Sequence, residues 1–365
     1  MILLHFAILL GAIAIGARVG GIAIGFAGGA GVLVLGLFGL TPGALPLDVV
    51  SFIMVVIVAV AAMQVAGGMD YLVDVADRIL RANPKNIALL APFVTYMLTF
   101  TASTGQASFS TMPVIVEVAK ENNVRPQRAL AVSVAASLLA ITASPISAAV
   151  LFLSTMLEQK KTGWDYLELI AVSVPATFFA VMSTALLFML WDKARGNTEL
   201  STLPIYQQRL AAGLVQAPKP HEARQLPPGA RRSVVIFLVG LAVVLGYAIL
   251  ISDKFQLVQN PVMNGAQARL STMLAVALAI CMLCKTDVAK IPSASTFKIG
   301  MTACVCILGV AWLGTTFMKA HEPWIQAVAG DFLRTYPWML AVVLVFASAL
   351  LYSQAATTKA LMPTA

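Results

Sequence analysis

Three stretches of this chain place hydroxyl and amide side chains where apolar runs break off. The first is TASTGQASFSTMP, which carries Ser103, Thr104, Gly105, Gln106 and Ser108. The second is ITASPIS, with Thr142, Ser144, Pro145 and Ser147. The third is SQAATTKALMP, with Ser353, Gln354, Thr357 and Thr358 followed by Lys359. Their common chemistry is donation. A helix that starts at such a break exposes N–H groups with partial positive charge, and these bind carboxylates. Hydroxyls and amides add donors. Gly105 permits a turn with φ above zero at the first break. Pro145 has no N–H and clashes with the preceding turn, so it interrupts a helix. No Ser/His/Asp set and no paired carboxylates accompany the breaks, so the expected chemistry is binding, and the chain is not read as an enzyme. Such a site suits an anion of a few carbons with a carboxylate at each end.

Each hydroxyl taken alone is equally at home in a helix–helix hydrogen bond; it is their clustering at corresponding breaks that favours a site. Lys359 is costly within a membrane segment and is read as a substrate contact, the alternative being a side chain that snorkels from a frayed end. Cys281, Cys284, Cys304 and Cys306 have ligand-like CxxC and CxC spacings, but no His or acid accompanies them. They are read as small apolar side chains in two helices, and no metal or cofactor is expected. GGIAIGFAGGAG, with glycines at 21, 25 and 29, is read as a close helix contact, since a dinucleotide fingerprint needs a preceding strand. The three histidines, His5, His221 and His321, are scattered along the chain.

The elements that must position these groups are set by composition. The 365 residues are 59% hydrophobic and 11% charged, against about 25% charged in a soluble domain. Lipid must therefore be the main solvent. Apolar runs able to cross lie at 1–17, 19–40, 51–68, 88–104, 129–157, 167–191, 233–252, 267–284, 299–318 and 338–352. No basic region precedes the first run, so it is expected to stay in the protein. The net charge of +8 comes from basic residues in short loops, where they act as orientation signals, and nucleic acid is not an expected partner. The segment 191–232 holds Lys193, Arg195, Arg209, Lys219, Arg224, Arg231 and Arg232, and reads as a mobile cytoplasmic linker. Lys120, Arg125 and Arg128 then fall inside, with the amphipathic stretch Asp70 to Lys85. The loops Thr41 to Val50 and His321 to Tyr336 fall outside, as do Lys160 and Lys161.

Two halves of the chain correspond. Leu80, Arg81 and Pro84 match Leu333, Arg334 and Pro337 at an offset of 253, Pro113 matches Pro363 at 250, and Arg18 matches Arg269 at 251. An odd number of crossings between the copies inverts the second. The expected fold is an all-α polytopic membrane protein with inverted-topology repeats, helical hairpins and broken helices, which is the architecture of many secondary transporters. The first repeat is 1–190, with a hairpin at about 88–120 and a broken helix at about 129–157; the second is 233–365. The counterpart of ITASPIS is expected near residue 392, so the chain is read as a fragment with an incomplete second repeat.

The stretches QVAGGMDYLVDVADRILRANPKNIALLAPFVTY, TASTGQASFSTMPVIVEVAKENNVRP, ITASPISAAV and LLYSQAATTKALMP resemble the anaerobic C4-dicarboxylate transporter family, Dcu. The resemblance runs from Gly16 to the last residue. It implies exchange of fumarate, malate, aspartate and succinate across the bacterial inner membrane, and paired hairpins with broken helices. The expected partners are small dicarboxylate anions and the lipid bilayer, and the sequence is open to a homo-oligomer. The alternatives are a sodium- or proton-coupled carrier of a related organic anion, and a non-transporting membrane sensor or scaffold. Asn is absent from both tips, which favours exchange over sodium coupling. The linker is too short for a signalling module.

Overall fold

The computed structural model describes residues 1–365 apart from 104, 160–163, 197–198, 216–224, 253–256, 259, 336–337, 340, 343–344 and 346–365. Where lipid replaces water, backbone N–H and C=O groups must be satisfied within the segment, and runs of Leu, Val and Ala do so as helices. The regular elements among the described residues are accordingly helices, apart from one isolated antiparallel bridge between Val124 and Glu199. The helices are α1 (Ile2–Val19), α2 (Ala23–Leu37), α3 (Leu47–Val65), α4 (Gly68–Ala82), α5 (Ile87–Ala102), α6 (Gln106–Glu121) and α7 (Gln127–Ala143). They continue as α8 (Ala148–Gln159), α9 (Tyr166–Arg195), α10 (Pro204–Ala211), α11 (Ala230–Ile251), α12 (Gly265–Leu283) and α13 (Ser295–Thr335). Among the described residues, α1, α3, α9, α11, α12 and the Ser295–His321 part of α13 are long and apolar enough to cross a membrane. α2 and α7 are shorter apolar helices.

The chain forms two compact units. One comprises Met1–Val58, Ala148–Tyr166 and Phe297–Ala365, the other Ala59–Ser147 and Leu167–Thr296. In the first unit α1 packs on α2, and α2 meets α13 along its glycines. Close packing was the expectation for this stretch, but the register differs from 21, 25 and 29. Gly25, Gly28 and Gly31 face their neighbours, whereas a side chain at Gly21 or Gly29 would meet open space. A helix returns to the same face after three or four residues, and here the steps of three carry the contact. Ile13, Val32, Leu35 and Leu313 fill the adjoining core. The loop after α2 is tied to α13: Gly43 N–H donates to Thr316 Oγ1 at 3.0 Å, and Trp312 Nε1–H to the Gly43 carbonyl at 2.9 Å.

α13 corrects one sequence expectation. The segment from His321, expected as a loop, continues the helix to Thr335 with Pro323 inside it. Ile325 to Arg334 is made mostly of residues that favour or tolerate helix, and one proline removes a single hydrogen bond without ending the run. The histidines are not all scattered either. His5 Nδ1 and His321 Nε2 lie 3.0 Å apart, with the Phe317 ring 4.8 Å from that of His321.

In the second unit α5 packs on α6 and more extensively on α7, α4 lies against α5, α6 and α11, and α11 against α12. α4 is amphipathic, as its sequence predicts: Met69, Val73, Ala76 and Leu80 are buried. Two carboxylates share that buried face. Asp74 pairs with Arg78 at 2.6 Å and Asp77 with Arg81 at 2.9 Å, one turn on. Arg81 also pairs with Glu121 on α6, joining the two helices. Burial works against the Arg81 charge, but hydrogen bonds to Asp77 and Glu121 and their attraction outweigh it, and the guanidinium pKa stands above its usual value.

The linker after α9 was expected to be mobile. Its first part is instead clasped to the α6–α7 turn. Leu200 N–H donates to the Asn123 carbonyl at 2.9 Å, and Ser201 N–H to Asn123 Oδ1 at 2.8 Å. Asn123 Nδ2 reaches Ser201 Oγ at 2.9 Å, while Arg125 donates to the Glu199 carbonyl and to Thr202 Oγ1, both at 2.8 Å. Leu200 is buried under this clasp. Asn123 sits at φ 56°, a left-handed conformation that Asn tolerates better than most residues, and so turns its carbonyl toward the linker.

Candidate functional site

The first break joins α5 to α6 through residues 103–105, and the two helices pack against each other. Positive φ was expected at Gly105. The structure puts it at Ser103, φ 49°, which ends α5, while Gly105 is right-handed at φ −62°. The turn is made where α5 stops, and a side chain placed on Gly105 would reach Ile141 only at an ordinary 3.7 Å. A serine held left-handed costs on the order of 1–2 kcal/mol, so the surroundings must fix it.

They do so through hydroxyls. Ser108 donates to the Gly105 carbonyl at 2.6 Å, closing the first turn of α6. Ser144 is fully buried and donates to the Phe100 carbonyl at 2.8 Å. That carbonyl belongs to the last turn of α5, the part of a helix whose carbonyls side chains commonly cap. Thr142 donates back to the Leu138 carbonyl at 3.1 Å. Three hydroxyls expected as ligands therefore direct their single protons at backbone carbonyls.

The second break separates α7 from α8 at residues 144–147. Ser144 is extended, with φ −66° and ψ 129°, and Ser147 N–H returns to its carbonyl at 3.0 Å. Pro145 follows directly and Ser147 is buried. The first break, with Ser103, Gly105, the start of α6 at Gln106 and Ser108, and the second, with Thr142, Ser144, Pro145 and Ser147, are thus both in or at the edge of the α5–α6–α7 group. Thr104 lies outside the described residues, as do Ser353, Gln354, Thr357, Thr358 and Lys359 of the third stretch.

Behind the tip lies a polar seam that the sequence reading missed. Thr95, Thr99, Thr111, Ser133 and Ser137 are all buried. Thr99 donates to Ser137 at 3.3 Å, and Thr95 lies 3.5 Å from Thr111. Ser133 Oγ has no hydrogen-bond partner among the described residues. The signal was available: hydroxyls recur every fourth residue at 95, 99 and 103 on α5 and at 133 and 137 on α7, a spacing that lines one helix face. Beside the seam, Tyr96 packs with Ala136, Ala140 and Val181, and its hydroxyl meets Thr177 Oγ1 at 2.8 Å. The seam and the two breaks thus carry hydroxyls and no charged side chain, with apolar packing on the Tyr96 flank. Among the described residues no three His, Cys, Asp or Glu side chains gather as metal ligands. The Cys304 thiol points at the Val50 carbonyl at 4.0 Å and that of Cys306 at the Gly21 carbonyl at 3.5 Å.

The anaerobic C4-dicarboxylate membrane transporter family matches residues 1–365. The chain belongs to this family. It is 51% identical over 366 residues to the C4-dicarboxylate transporter DcuA of Wolinella succinogenes, covering all of this chain and 83% of that protein. The same identity and coverage hold over 365 residues for the C4-dicarboxylate transporter DcuA of Escherichia coli K12. The anaerobic C4-dicarboxylate transporter DcuB of Escherichia coli O6:H1 is 34% identical over 368 residues, covering 96% of this chain and 79% of its own length. As a member of this family the chain is a multi-pass protein of the bacterial inner membrane and not an enzyme.

Proposed function

We infer that this protein is a secondary transporter of C4-dicarboxylates such as fumarate, succinate, aspartate and malate. The observation that carries the reading is the family match along residues 1–365, with relatives at 51% identity that are C4-dicarboxylate transporters. The neutral, donor-lined breaks support it, because a dianion leaving water needs fixed donors in place of its hydration.

The finer reading is alternating access by inverted repeats, with exchange of one dicarboxylate for another. α5 and α6 have 16 residues each, or about 24 Å at 1.5 Å per residue, which is short of the roughly 30 Å hydrocarbon core. That length supports a hairpin that enters and leaves on one side, with its base and the linker in the cytoplasm. The first repeat is taken as 1–190 and the second as 233–365. In this reading the donors are the backbone N–H groups at the start of α6 and after Pro145, with Ser103, Thr104, Gln106 and Ser147 beside them. Ser353, Gln354, Thr357 and Thr358 hold the other carboxylate, and Lys359 supplies a charge.

The test is counterflow of labelled fumarate into liposomes preloaded with succinate. Uptake that requires internal dicarboxylate supports exchange; uptake driven by an imposed sodium or proton gradient into empty liposomes refutes it. Sidedness is tested by single cysteines at Asn122 and Gln326 with an impermeant thiol reagent, and labelling of both from the same side would exclude the inverted repeats.

A further inference from the structure

We propose that Ser144 is a positioning residue that locks the first hairpin tip onto the broken helix, and not a donor to the transported anion. The proposal rests on the reading of the tip as part of the dicarboxylate site.

A serine hydroxyl has one proton and otherwise only lone pairs. Ser144 directs that proton at the Phe100 carbonyl, 2.8 Å away and 44 residues earlier in the chain. What remains on its oxygen is acceptor capacity, which repels a carboxylate. The carbonyl it reaches lies in the last turn of α5, which ends at the left-handed Ser103. One side chain from the second break therefore caps the helix that carries the first. Next to Phe100, Thr99 donates across to Ser137 of α7 at 3.3 Å, about two turns before Ser144.

The hydrogen bond also fixes a direction. Ser103 follows Phe100 within one turn and α6 begins at Gln106, so holding the Phe100 carbonyl sets where the first N–H groups of α6 point. Ser144 itself begins the break after α7, and its extended backbone sets where the chain goes at Pro145. The two sets of donors are thereby held at a constant separation around the carboxylate they share. Loss of the bond removes a tie between the end of α5 and the second break and lets the tip open, without removing any donor from the anion.

The experiment compares Ser144→Thr with Ser144→Val in the full chain. Both side chains add a methyl group in the same buried place, and they differ in the hydroxyl alone. Each is combined with Gly105→Cys in a background lacking the four native cysteines, since φ at Gly105 and the space around it accept a side chain. The readouts are the rate at which the thiol introduced at position 105 is labelled without substrate, and KM and kcat for fumarate, succinate and aspartate in proteoliposomes without the Gly105 change. The Val variant is expected to label about fivefold to tenfold faster than the Thr variant, the weight of one buried hydrogen bond. Its KM is expected to rise by a common factor for all three substrates, with kcat within twofold.

Equal labelling of Thr and Val variants overturns the proposal. So does a KM change that differs several-fold between fumarate and aspartate, which would mark Ser144 as a ligand. Failure of saturating fumarate to protect the introduced thiol when Ser144 is intact sinks the reading of the tip as a substrate site instead, and leaves the Thr–Val labelling difference to judge the lock.

Discussion

Gly28 and Gly29 are adjacent in α2, and the structure assigns them opposite responses to the same substitution. A Cβ on Gly28 would lie 2.6 Å from the Gly309 carbonyl oxygen and 2.7 Å from the Val310 nitrogen on α13, both rigid backbone atoms. Comfortable contact needs roughly 3.5–4.0 Å, so Gly28→Ala must push the two helices apart by about 1 Å or bend one of them. Overpacking of this kind costs about 1–3 kcal/mol. Lipid tails offer no hydrophobic compensation, because helix association in a membrane rests on close packing itself. A Cβ on Gly29 meets nothing within 4 Å. There the alanine should only help, by up to about 1 kcal/mol of helix propensity. The assay is loss of the monodisperse peak on size exclusion after heating in detergent. Gly28→Ala should lower the apparent Tm by a few degrees, on the scale of about 2–4 °C per kcal/mol for larger domains, and Gly29→Ala should leave it unchanged or raise it. Equal shifts, or a larger loss at Gly29, would refute the α2–α13 register.

Arg81→Leu removes a partner of both Asp77 and Glu121. Because Asp77 is buried, the loss should exceed that of a surface pair and reach about 1.5–3 kcal/mol; Arg81→Lys should recover part of it, read as the midpoint of denaturant unfolding in micelles. Asn123→Ala with Arg125→Ala removes the side-chain half of the linker clasp, and trypsin added to inside-out vesicles should then cut at Arg209 several-fold faster, with cleavage at the parent rate as the adverse result. Replacing Cys281, Cys284, Cys304 and Cys306 by Ala should leave fumarate exchange within a few-fold of the parent; loss of exchange together with bound zinc would restore the metal reading. Lys359→Gln should weaken dicarboxylates more than monocarboxylates in a competition assay, because a charge-assisted hydrogen bond is roughly twice as strong as a neutral one. Unchanged affinities would make the lysine structural.

The sequence alone determined the solvent, the element type and the family. A chain with 11% charged residues must live in lipid, and lipid admits long apolar runs as helices. It also marked where two of those helices fail, at the Ser/Thr cluster of the first tip and at Pro145, although Pro92, Pro113, Pro175 and Pro323 stay inside helices. The amphipathic face of α4 was legible as well. What the sequence could not determine is which partner each polar group finds. Ser144, Ser108 and Thr142 look like free donors as residue types. Only packing α5 beside α7 brings the Phe100 carbonyl to Ser144 and turns a candidate ligand into a cap. The left-handed residue of the tip fell on Ser103 although glycine is two positions on, because α5 ends there and its surroundings outweigh an intrinsic preference of a kcal/mol or two. The linker looked mobile from composition. Its clasp depends on Asn123 and Arg125, some 75 residues away, presenting donors and an acceptor in the right order. His5 and His321 are 316 residues apart and meet only because α1 and α13 share one unit. Local sequence sets what a segment can be, while long-range packing sets which of its hydrogen-bonding groups remain available to a ligand.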